Sequence, residues 1–112
     1  MATSRSTIDF LLDQLGSLED LSSRRMFGEY CIYLSGKPIG FVCNDEFYLK
    51  ITAAGRQLAP DAAEGFPYPG ARPHLLIPAD SWEDRHWLIP LLEATERALP
   101  PPKPRKKDHF KR

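Results

Sequence analysis

Ile8, Leu11, Leu12 and Leu15 fall at i, i+3, i+4 and i+7, a spacing that gathers four aliphatic side chains on one helical face and predicts an amphipathic helix. Ser6 with Asp9 offers an N-terminal cap and Gly16 an end. The segment SLEDLSS that follows reads as a polar connector. After it, RRMFGEYCIYLSGKPIGFVCNDEFYLK, residues 24–50, changes period. Two polar dipeptides, Ser35-Gly36 and Asn44-Asp45, interrupt runs rich in β-branched and aromatic residues, which predicts two tight hairpins and a three-stranded antiparallel meander.

Two-residue loops set the expected register. Leu34 would oppose Lys37, Ile32 Ile39, Tyr30 Phe41 and Gly28 Cys43, while Val42 would oppose Phe47 and Gly40 Leu49. One face then carries Tyr30, Ile32, Leu34, Ile39, Phe41, Cys43 and Tyr48, with Lys37, Glu46 and Lys50 at its margins. The other carries Phe27, Cys31, Tyr33, Val42, Phe47, Leu49 and Ile51, with Glu29. Both are largely apolar, unlike a sheet with one wetted face. The chain's helices are expected to cover one, and a second subunit part of the other.

Beyond the meander, Thr52 is an N-cap and Pro60 a stop for a short helix. The run HLLI, bracketed by Pro73 and Pro78, predicts a strand near a sheet edge. Asp80 and Glu83 form a capping-box-like pair before a last helix with a stripe of Leu88, Leu91, Leu92, Thr95, Ala98 and Leu99, kinked or broken at Pro90.

At 112 residues the chain is expected to hold one domain, residues 1–99, followed by a Pro/Lys/Arg-rich disordered tail, residues 100–112. Its formal net charge of +0 hides a split between an acidic body and the basic tail PPPKPRKKDHFKR. No apolar run is long enough to cross a bilayer, and Asp9 and Asp13 interrupt the N-terminal apolar residues, so a cytoplasmic protein with no membrane contact is expected. Cys31 and Cys43, sent to opposite faces by the expected register, read as reduced thiols.

Candidate chemistry is sparse. Glu29 and Lys50 fall on opposite predicted faces, which argues against an acid–base pair; Arg24 and Arg25 with Glu46 read as surface charges. His74, His86 and His109 lack a spacing that would bring two together on one metal, and neither cysteine belongs to a C-x-x-C unit. No phosphate-binding glycine loop or G-x-S-x-G motif occurs. No catalytic, cofactor-binding or metal-binding residue is therefore assigned. Trp82 and His86, four residues apart beside Trp87, suggest either a recognition patch or packing of Trp82 on the sheet. Lys103, Arg105, Lys106, Lys107, Lys111 and Arg112 are the candidate nucleic-acid contacts.

Arg25-Met26-Phe27-Gly28, Tyr30, Ser35-Gly36 and the closing Tyr48-Leu49-Lys50 resemble the signature of the TfoX N-terminal domain family, which opens the TfoX/Sxy regulators of natural competence. Glu64-Gly65-Phe66, the strand ending at Pro78 and the last helix follow in the family's order, so the resemblance spans roughly residues 5–99. PHLLIP departs from it, since family members often place aromatic residues there. The resemblance implies a stand-alone N-terminal domain without the regulators' helical C-terminal module. It further implies an α+β fold, a two-layer α/β sandwich similar to small secretion chaperones, ordered helix, three-stranded meander, helix, further strand, helix, and often dimeric.

These readings converge on a non-enzymatic regulatory or adaptor domain associated with transcription, working through protein contacts, with weak tail-mediated affinity for non-specific DNA. The expected partners are a second copy of the chain and a protein of the transcription machinery. Arg24, Arg25, Tyr30, Ile32, Phe41, Tyr48, Lys50 and Trp82 are the candidate partner or dimer contacts. The alternative is a dimeric chaperone-like or peptide-binding module.

Overall fold

Three two-residue turns organise the sheet. Phe27-Gly28, Ser35-Gly36 and Asn44-Asp45 each hold both residues at positive φ (52° and 82°, 55° and 79°, 54° and 62°), as type I′ hairpin turns require. In this computed structural model, which describes residues 3–101, they join β1 (Leu21–Met26), β2 (Glu29–Leu34), β3 (Lys37–Cys43) and β4 (Glu46–Lys50). The tail assignments from Lys103 to Arg112 lie outside the described residues.

The meander thus has four strands where the hydrophobic pattern predicts three. The extra one, β1, takes Leu21 to Ser23 from the expected polar connector and Arg24 to Met26 from the start of the predicted meander. Every residue of LSSRRM after Leu21 is exposed, because β1 is an edge strand and burial imposes no alternation on it. Gly28, predicted within a strand, instead sits in the first turn. On the other side the order continues β4, β6 (His74–Ile77), β5 (Ala63–Gly65), all antiparallel. HLLI is consequently an inner strand, with the three-residue β5 supplying the edge expected of it.

A bulge decides which side chains reach the core. Leu34 opposes Lys37 as predicted, but Ile32 opposes Gly40 and Tyr33 opposes Pro38, leaving Ile39 as an extra residue. Beyond it Tyr30 pairs with Val42 and Cys31 with Phe41, so the predicted pairs of Ile32, Tyr30 and Gly28 are replaced. The expected pairs Gly40 with Leu49 and Val42 with Phe47 hold. The consequence is physical: Ile32, Leu34, Ile39, Val42, Phe47 and Leu49 all enter one core with Leu75 and Ile77. An unbroken alternation would have divided them between two faces.

Helices cover that core face. α1 (Arg5–Gln14) inserts Ile8 and Leu11, and Leu15 follows at its C-cap. Its N-cap is Ser4 rather than the predicted Ser6, the hydroxyl accepting from the Thr7 N–H at 3.3 Å. Asp45 ties this end to the sheet by accepting from the Ser4 N–H (2.9 Å) and the Thr7 hydroxyl (2.8 Å), bonds that hold its carboxyl below the usual range. Thr52 caps α2 (Ala53–Leu58) as predicted, its hydroxyl accepting from the Gly55 N–H at 2.9 Å.

α3 (Arg85–Ala98) contributes Leu88, Leu91, Leu92 and Thr95 and runs as one helix through Pro90, where a kink or break is expected. The Asp80/Glu83 pair does not cap it. Asp80 lies in a separate 3-10 turn, Ala79–Ser81, and Asp84 is the N-cap without a side-chain hydrogen bond. At the far end the Lys37 ammonium sits 2.9 Å from the Glu96 carboxylate and donates to the carbonyls of Glu96 (2.8 Å) and Leu99 (3.0 Å). A cation on the last carbonyls stabilises a helix C-terminus, and here it fixes α3 to the first residue of β3.

Gly40 faces Leu49 across the β3–β4 ladder, with no room for a side chain. A Cβ there would collide with the Tyr48 carbonyl and lie 3.2 Å from both the Leu49 Cα and the Phe47 ring. Gly40→Ala is expected to destabilise the fold by about 1–3 kcal/mol, as overpacking of a filled core does. Urea unfolding should show a lower midpoint with an unchanged slope.

Candidate functional site

Among the described residues no helix covers the second face of the sheet. It carries Met26, Glu29, Cys31, Tyr33, Phe41, Cys43, Glu46, Tyr48, Lys50, His74 and Leu76, as the strand register requires. Its partial cover is the segment Phe66-Pro67-Tyr68-Pro69-Gly70-Ala71-Arg72-Pro73. A turn shapes that segment: the Ala71 N–H donates to the Tyr68 carbonyl at 3.1 Å, with Gly70 at φ 86°, a conformation that favours glycine. Tyr68 meets the Phe41 ring edge-on, centroids 5.6 Å apart at 90°, and Phe41 also lies 5.6 Å from the His74 ring.

Two contiguous clefts open between strap and sheet, sharing Phe41 and Tyr68. The first, of ≈ 610 Å³, is lined by Met26, Phe27, Glu29, Tyr30, Phe41, Cys43, Asn44 and Pro67 to Pro69. The second, of ≈ 800 Å³, is lined by Phe41, Lys50, Ile51, Glu64, Tyr68, Arg72, His74 and Leu99, among others. Apolar and aromatic walls with a few polar groups are the usual composition of a binding cleft.

Charge divides along the trough. Glu29 and Glu46 stand at the Asn44-Asp45 end, with Cys43 paired to Glu46 between them. Lys50 and Arg72 line the other end together with Glu64, whose carboxylate lies 3.6 Å from the Arg56 guanidinium. Glu29 and Lys50 therefore share a face, contrary to the predicted register, because the bulge exchanges the faces of β2. They still form no pair: the four residues from Glu46 to Lys50 correspond to about 13 Å of strand. Glu29 accepts from the Asn44 N–H at 3.1 Å and from the Thr3 hydroxyl.

The bulge also moves Cys31 and Cys43 to the same face. Both are free and buried. Burial, then the neighbouring Glu29 charge, pushes the Cys43 thiol up to about 11; burial likewise raises Cys31. Thiolate is the reactive form, so neither is an activated nucleophile at neutral pH. Burial and the hydrogen bond from its hydroxyl to Glu46 (2.8 Å) push Tyr48 up to about 12. His74 donates from Nδ1 to the Arg72 carbonyl at 2.8 Å, which leaves the buried Nε2 without a protein partner. Among the described residues no group of three or more His, Cys, Asp and Glu side chains is arranged to hold a metal ion. No helix among them is long and apolar enough to cross a membrane.

The eight predicted partner contacts do not form one surface. Ile32 and Trp82 are 0% and 1% exposed. Trp82 donates to the Ile77 carbonyl at 3.1 Å and packs against Phe10 and Phe47. The recognition patch of Trp82 with His86 is thereby replaced by sheet packing, and Trp87 turns to the Leu58 carbonyl at 2.8 Å. Tyr30 follows Ile32 onto the core side, half-buried at the strand's end. Phe41, Tyr48 and Lys50 remain together on the open face, which Arg24 shares as the partner of Cys31, while Arg25, opposite Tyr30, lies exposed on the other side of β1.

Sequence reasoning missed Phe27 and Tyr68. Tyr68 had a signal in the alternation of proline and aromatic residues through FPYP. Phe27 had one in the Phe-Gly dipeptide between Met26 and Glu29, masked by the weak pattern of β1. Phe27 is wholly exposed and in the left-handed region.

An antiparallel sheet with helices on one side and an aromatic trough on the other defines a small α+β domain. The chain belongs to the TfoX N-terminal domain family, which matches residues 13–99. It is also similar to an uncharacterized 12.7 kDa protein in the trpE 5′ region of Spirochaeta aurantia, 42% identical over 106 residues, covering 95% of this chain and 91% of the relative.

Phe27 combines a left-handed backbone, which disfavours bulky residues by about 1–2 kcal/mol, with a ring that gains nothing from burial. Phe27→Asn should raise stability by about 1 kcal/mol, measured by urea unfolding, because asparagine tolerates this turn position. A binding role for the exposed ring predicts a simultaneous loss of affinity for whatever occupies the first cleft.

Proposed function

We propose that this chain is a non-enzymatic, cytoplasmic regulatory or adaptor domain associated with transcription, acting through protein contacts and in the first instance as a homodimer. The observation that carries this reading is the open edge of β1. Among the described residues its six residues pair with β2 alone, and an uncovered strand edge is a template for adding another strand. The opposite edge, β5, has only three residues. Competence regulation is the role that the TfoX family name suggests, and the homodimer supplies the contact this reading requires. The basic tail adds weak, sequence-blind affinity for DNA.

The type I′ turn at Phe27-Gly28 makes Met26 and Glu29 the closing hydrogen-bonded pair, so alternation leaves the Leu21, Ser23 and Arg25 backbone groups facing outward. Ser23→Pro removes one of these outward donors while sparing the β1–β2 ladder, a placement that edge strands tolerate. Sedimentation should find the wild-type chain dimeric and Ser23→Pro predominantly monomeric, with similar unfolding midpoints. A monomeric wild type, or a variant dimer of unchanged affinity, contradicts edge pairing.

The DNA component has its own test. Fluorescence anisotropy of labelled duplex over a salt series should show binding by the full chain and its loss in a 1–99 truncation. The slope of log K against log salt should reach about −5 when six phosphates are contacted. Equal binding by the truncation would transfer the contact to the folded domain.

A further inference from the structure

We infer that the trough on the open face is the seat of this chain's own residues 102–112. The described chain leads there. Leu99, whose carbonyl is held by Lys37 at the start of β3, lines the second cleft, and the chain continues through Pro100 and Pro101. The trough then extends toward Glu29 and Glu46 at the other end of β3.

Length and composition match this path. From Lys37 to Cys43, β3 spans about 20 Å at ~3.3 Å per residue. Six residues from Pro100 to Arg105, four of them proline, cover about 19 Å as a polyproline II segment. Proline-rich segments in that conformation dock on aromatic-lined grooves, and the trough presents Phe41 and Tyr68 midway. Uncharged prolines then pass most of the basic end formed by Lys50 and Arg72, while Arg105, Lys106 and Lys107 arrive at Glu29 and Glu46. The wider charge balance agrees: residues 3–101 carry nine basic against fourteen acidic side chains, and residues 102–112 six basic against one. Opposite charge on a short tether favours this association, and salt weakens it.

This placement is independent of edge pairing. It makes tail-bound DNA and an occupied trough competing states, because the same lysines and arginines serve both.

The test uses the full chain carrying Asp108→Cys, modified with a maleimide nitroxide. Cys31 and Cys43 are only 2% and 6% exposed, which directs the label to position 108. In ¹⁵N-labelled protein, docking broadens the amides of Glu29, Cys43 and Glu46 selectively. Those of the Ser35-Gly36 turn and of Leu91 and Leu92 in the helix layer stay sharp. Tyr68→Ala, a change at a half-exposed strap residue, should remove more than half of that broadening. Absent or uniform broadening overturns the inference, as does insensitivity to Tyr68→Ala. Mixing nitroxide-bearing ¹⁴N chain with unmodified ¹⁵N chain separates own tail from partner: broadening in that mixture assigns the trough to the tail of a second copy and overturns the own-chain placement.

Discussion

The single extra residue at Ile39 governs what each face of this sheet can do. With the bulge, aliphatic residues of β2 and β3 join one helix-covered core, and Cys31, Phe41, Cys43, Tyr48 and Lys50 share the other side. Full burial of an isoleucine or leucine side chain is worth about 1.5–3 kcal/mol. Splitting the set between two faces would therefore cost more than one irregular step in a ladder. Pro38 is compatible with that step because, lacking an N–H, it demands no regular ladder bond at its own position.

Much of the architecture was legible where burial imposes a period. α1, α2, the Ser35-Gly36 and Asn44-Asp45 turns and the register of β3 with β4 follow from local pattern and turn chemistry. β1 did not, because an edge strand exposed on both faces has no apolar alternation to read. β5 is three residues long and acquires its conformation from pairing with β6, not from local propensity. The faces of β2 were misassigned for another reason: parity propagates, so one unrecognised bulge inverts every subsequent assignment. The candidate site inherited that error. Phe41, Tyr48 and Lys50 share one face as the predicted register has it, whereas Ile32 lies in the core and Tyr30 packs against it at the edge of the first cleft.

The open face differs from the core in how its apolar residues are covered. Phe41 meets Tyr68 of the proline-rich strap and Tyr48 shares a smaller cleft with it, and the adjoining cleft remains lined by Met26, Phe27 and Tyr68. Prolines restrict the strap's backbone before it folds, reducing the conformational entropy lost on ordering it. Such a segment can hold a cleft open without the broad packing contacts of a helix. Its edge-to-face contact with Phe41 then makes the strap a wall of the trough as well as its partial cover.

Phe27 links the two contact surfaces proposed for this domain. It ends the hairpin that carries the free edge of β1, and it lines the first cleft. A strand added beyond β1 and a segment lying in the trough would consequently meet at the same turn. An exposed aromatic ring on a left-handed backbone is poorly explained by folding energetics alone, since neither its conformation nor its hydration stabilises the monomer. Its position gives it a different value: either occupant can bury the ring without any rearrangement of the helix-covered core.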